Sequence, residues 1–109
     1  MTTGETNNNR AKNLSFVIKT NGEIVPTTPV GSEFSPDQIR EYVAGPFELF
    51  CRTHDGFFLF HNQEGKVRGL PRNGFATAMY LMPTRRNEAF LGIVFVAHPD
   101  HIAAYLKAK

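Results

Sequence analysis

Residues 62–77 read Asn62-Gln63-Glu64-Gly65-Lys66-Val67-Arg68-Gly69-Leu70-Pro71-Arg72-Asn73-Gly74-Phe75-Ala76-Thr77. This stretch joins a strongly apolar run, Phe57–Phe60, to a segment that starts like a helix. Asn62–Gly65 has the composition of a hairpin turn, so Lys66-Val67-Arg68 is expected to return as a short strand with Lys66 and Arg68 on one face. Asn73 is suited to cap a helix, and Phe75–Leu81 is expected to make two turns before Pro83 ends it. A strand, a turn and a short helix in immediate succession point to a mixed fold rather than to a bundle or a pure sandwich.

Upstream, Phe57-Phe58-Leu59-Phe60 is continuously apolar, which suits a strand covered on both faces. His54-Asp55-Gly56 is a turn, and Phe47–Arg52 alternates, with Phe47, Leu49 and Cys51 opposed to Glu48, Phe50 and Arg52. Before it stands a well-marked helix start. Ser35 is the N-cap, Pro36 the first helical residue, Gln38 the closing partner of a capping box, and Phe34 with Ile39 a hydrophobic staple. Ile39, Tyr42 and Val43 form its apolar stripe, and Gly45-Pro46 stops it. Leu14–Lys19 and about Glu23–Thr27 are two strands around Asn21-Gly22, a hairpin signal, and Pro26 with Pro29 places the second at an edge.

Downstream, Thr84–Asn87 is a charged loop and Ala89–Ala97 the most apolar run, expected to be a central strand. His98 or Asp100 is expected to cap a last short helix with Pro99 near its start and Ile102, Tyr105 and Leu106 as its buried stripe. Residues 1–13, without apolar periodicity, are expected to be a flexible tail ahead of a single domain over 14–109. The fold expected is α+β, a small mostly antiparallel sheet of about five to six strands with two or three short helices.

Composition narrows the function. One cysteine makes no internal disulfide and no Cys/His spacing suggests structural zinc. No segment approaches the ~20 apolar residues of a membrane helix, which points to a cytoplasmic protein without membrane contact. The formal charge of +2 is small, but Lys66, Arg68, Arg72, Arg85 and Arg86 fall in a span with no acidic residue, leaving −3 for the remainder.

Three blocks carry a likeness: Glu41-Tyr42-Val43-Ala44-Gly45-Pro46-Phe47-Glu48; Asn62-Gln63-Glu64-Gly65-Lys66 leading through Gly69-Leu70-Pro71 and Asn73 to Ala76-Thr77; and Leu91-Gly92-Ile93-Val94-Phe95-Val96. In these, and in Gly22-Glu23-Ile24 and Phe34-Ser35, the chain resembles the domain-of-unknown-function family 3846 of phages, plasmids and bacteria. It departs at Ala44, where a second glycine is more usual, and at Gln63, where glutamate is expected. The resemblance implies a mobile-element setting with an accessory or host-countering role. It implies no activity.

Two readings of the opening stretch stand side by side. Asn62 and Gly65 can simply shape a turn, with Glu64 and Lys66 solvated; or Asn62 and Glu64 can face a ligand. The N–H groups at the Asn73 helix start, beside Arg72 and flanked by Lys66 and Arg68, could hold a phosphate or carboxylate. Arg85 and Arg86 lie beyond the far end of that helix, about 12 Å away, and need not join in. The candidate ligand-binding set is therefore Asn62, Glu64, Lys66, Arg68, Arg72, Asn73 and Thr77. No catalytic residue, metal ligand or cofactor is assigned. Cys51 is expected to be an inert core thiol, His98-x-x-His101 a helix cap rather than a metal site, and no nucleophile or phosphate motif is present. A non-enzymatic module binding an anionic, nucleotide-like small molecule is the leading expectation. The alternatives are an interaction module that engages a host protein through exposed Phe and the basic strip, and a weaker nucleic-acid binder. The strip lacks interleaved aromatics, which disfavours nucleic acid. An apolar run beside an exposed edge is compatible with a homodimer.

Overall fold

The computed structural model describes residues 14–81 and 89–108. The tail 1–13, the stop at Pro83, and the loop Thr84–Asn87 with Arg85 and Arg86 lie outside them. The fold is α+β. Strands β1 (Ser15–Ile18), β2 (Ile24–Thr27), β3 (Phe47–Arg52), β4 (Phe58–Asn62) and β5 (Val94–Ala97) form one antiparallel sheet ordered β2-β1-β5-β4-β3. Among the described residues three short helices accompany it: α1 (Pro36–Val43), α2 (Gly74–Ala76) and α3 (Ala103–Ala108). A π-helical turn, Thr77–Leu81, extends α2, and a 3-10 turn, Pro99–His101, precedes α3.

The centre is β5, the last strand in sequence, because its four residues are all apolar and fully buried. Phe95 and Ala97 face a core built with Ile39 and Val43 of α1, Ile102, and the half-buried Tyr105 and Leu106 of α3. Val94 and Val96 face the other core, with Ala76, Phe90 and Tyr80. The sheet is thus covered on both sides, and β4 divides in the same way, with Phe60 in the first core and Leu59 in the second. β1 is also covered on both faces: Val17 joins the first core, while Ile18 and Phe16 join the second.

Local signals act as the sequence suggests. Ser35 Oγ accepts from Gln38 N–H, and Gln38 Oε1 accepts in return from the Ser35 N–H. Pro26 lies on edge strand β2 opposite Phe16. A residue without an N–H cannot serve a hydrogen-bonded antiparallel pair, so it suits a position whose donor would face outward, and it blunts that edge.

Three expectations change. Lys66-Val67-Arg68 is not a returning strand. Residues 63–69 instead form successive turns, with Arg68 N–H to Glu64 O and Leu70 N–H to Gly65 O, both at 2.9 Å. The reason is topological, since β4 is paired on both sides by β3 and β5 and has no open edge to accept another strand. In β3 the register shifts between Leu49 and Cys51, so Cys51 turns away from Phe47 and Leu49 and joins Phe50 at the second core. The run Ala89–Ala97 enters the ladder only at Val94, because Gly92, at φ 81°, bends the chain and its N–H bonds Pro71 O at 2.7 Å.

Candidate functional site

The β3 bulge and the 63–69 turns border a hollow of about 450 Å³. Glu48 and His61, directly opposed on β3 and β4, form one wall, with Glu48 Oε1 3.6 Å from His61 Nε2. Phe50 lies beside them, its ring centroid 5.0 Å from that of His61 and 4.7 Å from that of Phe90. Leu91 and Ala89 contribute an apolar side, and Gln63, Gly65 and Lys66 close the hollow from the turn. Gly65 suits the close approach there, because a Cβ would stand 3.1 Å from the Leu91 Cβ. The walls therefore combine an exposed ammonium, a carboxylate paired with an imidazole, and aromatic and aliphatic surface.

Of the seven residues singled out from the sequence, Asn62 and Lys66 line this hollow. Asn62 is nevertheless occupied internally. Its Nδ2 donates to Val43 O at 3.1 Å and Ala44 O at 3.2 Å, and its Oδ1 accepts from Glu64 N–H at 2.7 Å. Glu64 is exposed on the turn. Arg68 is exposed too, its guanidinium donating to Ala44 O at 3.2 Å. Arg72 is exposed and bridges Leu91 through the backbone.

Asn73 and Thr77 form a buried knot away from the hollow. Asn73 Nδ2 donates to Ile18 O at 2.9 Å and Gly92 O at 3.0 Å, while its Oδ1 accepts from Ala76 N–H at 3.0 Å. Thr77 Oγ1 donates to Asn73 O and accepts from Phe90 N–H. Asn73 is the N-cap the sequence marks. However, the helix it starts has only three residues, and its cap already takes the Ala76 N–H, while the Thr77 N–H returns to Asn73 O. The structure thus separates the basic turn from the helix start that the sequence suggests would work with it.

Glu48, Phe50, His61 and Leu91 escape the sequence reading. A signal for the first and third exists: counting back from the His54–Gly56 turn pairs Arg52 with Phe58, and only the bulge prevents a simple count from reaching Glu48 and His61.

A second hollow, about 480 Å³, is lined by Ile18, Gly22, Ile24, Gly74, Phe75, Ala78 and Met79. Ile24, Phe75 and Met79 are each about half exposed, and the Phe75 ring lies so close over Gly22 that a Cβ there would be 2.8 Å from it. Among the described residues no cluster of three or more His, Cys, Asp or Glu side chains could hold a metal ion, and no helix is long and apolar enough to cross a membrane. Comparison of the chain with protein families, characterised proteins and solved structures finds no match.

Proposed function

We propose that this chain is a non-enzymatic binding module for a small anionic, nucleotide-like molecule, held in the hollow between the β3 bulge and the 63–69 turns. The observation that carries the reading is the mixed lining of that hollow. Lys66 supplies a cation for an anionic group, Glu48 an acceptor for an amino group, and Phe50 with Leu91 apolar surface for a ring. The volume falls within the range of roughly 300–1,000 Å³ usual for small-molecule sites. The resemblance to family 3846 suggests an accessory role in a mobile element, and the single cysteine with no apolar run of membrane length suggests action in the cytoplasm.

Calorimetric titration of the chain with a panel of nucleotides tests the proposal. Saturable binding that weakens with salt and is reduced in Lys66→Ala is expected. A panel that gives no heat and no thermal shift overturns it.

A second reading draws on the apolar hollow at Ile24, Phe75 and Met79, a surface that suits docking of a host protein. It predicts a stable partner that co-purifies with the wild type and is lost from Phe75→Glu.

A further inference from the structure

Glu48 and Lys66 line one hollow from different elements, the first on β3 and the second in the turns that follow β4. Both are exposed, and Lys66 has no ion-pair partner among the described residues. Two unlike charges in one hollow do not suit a ligand that is anionic throughout, because the carboxylate repels what the ammonium attracts. They suit a dipolar one, which brings an anionic group to Lys66 and N–H donors to Glu48. Among the described residues Lys66 is the only lysine or arginine in the lining, and the Arg68 guanidinium donates to Ala44 O, so the cation supply matches one phosphate group.

Glu48 is positioned yet keeps acceptor capacity. It is opposed to His61 across the β3–β4 ladder, and its Oε1 is 3.6 Å from His61 Nε2, beyond the reach of a full hydrogen bond. No other side chain among the described residues pairs with it. Ionised, it is an acceptor only, with about four lone-pair sites on two oxygens. Half-buried Phe50, two positions along β3, packs on the same side of the sheet as His61, with ring centroids 5.0 Å apart, and Leu91 adds aliphatic surface to the lining. An aromatic base resting on that surface has its edge beside the carboxylate.

We propose that Glu48 selects guanine, and that the ligand of the hollow is a guanine mononucleotide; the selection rests on the reading of this hollow as a nucleotide site. Guanine is the common base whose pairing edge presents two adjacent donors, a ring N–H and an exocyclic amino group. They meet the two carboxylate oxygens as a bidentate pair, in the way a guanidinium does. Adenine and cytosine each set an amino donor beside a ring acceptor, and uracil flanks its one N–H with carbonyls. Against an acceptor-only group each of these leaves lone pair facing lone pair, which costs more than the missing bond. The hollow therefore rejects the other bases by repulsion, with Lys66 serving the phosphate of all of them equally.

Calorimetric titration of the full chain with the monophosphates of guanosine, inosine and adenosine tests the selection. Inosine keeps the ring N–H and lacks the amino group, and the phosphate is common to all three. Affinity is expected to fall from guanosine to inosine to adenosine monophosphate, with a gap of about tenfold or more between the first and the last. Glu48→Gln replaces one acceptor by a donor, an arrangement that pairs with adenine. It is expected to lower the affinity for guanosine monophosphate by about tenfold and to raise that for adenosine monophosphate, a reversal that loss of packing at an exposed side chain does not produce. Guanosine monophosphate that binds no tighter than adenosine monophosphate, with both weakened in Lys66→Ala, overturns the selection and leaves the nucleotide reading standing. A panel in which no nucleotide binds overturns both. A Glu48→Gln variant that keeps the wild-type order also overturns the selection, and the wild-type series decides by itself if that variant does not fold.

Discussion

The Asn62 side-chain amide donates to the carbonyl oxygen of Ala44 at 3.2 Å, and Ala44 is the one non-glycine among the described residues with a positive φ, 62°. The end of α1 is thereby secured from the end of β4, and the same asparagine starts the turns that carry Lys66. Asn62→Ala would leave Val43 O and the Glu64 N–H without this partner at a buried position. A loss of about 2–4 kcal/mol is expected, read by urea denaturation.

Ala44 itself sits where glycine is free of the Cβ clash of the left-handed region. It caps α1 with N–H bonds to Arg40 O and Glu41 O. Ala44→Gly is expected to stabilise the protein by about 1 kcal/mol, because the relief of strain outweighs the added freedom of the unfolded chain. An unchanged or lowered denaturation midpoint would contradict this account of the cap.

Asn73 is a donor to two strand-side carbonyls and an acceptor for its own helix. Asn73→Asp keeps the cap but turns a carboxylate oxygen toward Ile18 O and Gly92 O, with no proton to offer either. It is therefore expected to destabilise at least as much as Asn73→Ala, on the order of 3 kcal/mol. A mild Asp variant would show that capping alone matters there.

Lys66 is exposed, so Lys66→Ala is expected to change stability by less than about 0.5 kcal/mol. If it holds a ligand's anionic group, the same change weakens nucleotide binding by about tenfold at low salt and less at high salt. Paired denaturation and calorimetry measure both.

The elements legible in the sequence are those set by a few neighbouring residues. The Ser35–Gln38 capping box, the Asn21-Gly22 hairpin and the Asn73 cap need only local geometry, and each forms as its residues suggest, whereas His98 caps the 3-10 turn Pro99–His101 rather than the last helix, which begins at Ala103. The continuous apolar runs behave likewise, because Phe58–Phe60 and Val94–Ala97 have no polar face to offer solvent, so both had to lie between two cores.

By itself, then, the sequence determined the caps, the turns, the α+β class and the burial of β4 and β5 on both faces, since each follows from residues close together in the chain. Only the tertiary structure decided that 63–69 could not be a strand, because that depends on β5 returning to occupy the open edge of β4. It also decided that Asn73 reaches Ile18, 55 positions away, and that Ser15 meets His101. Such partners are chosen by how the strands are ordered across the sheet, which no short stretch of residues encodes.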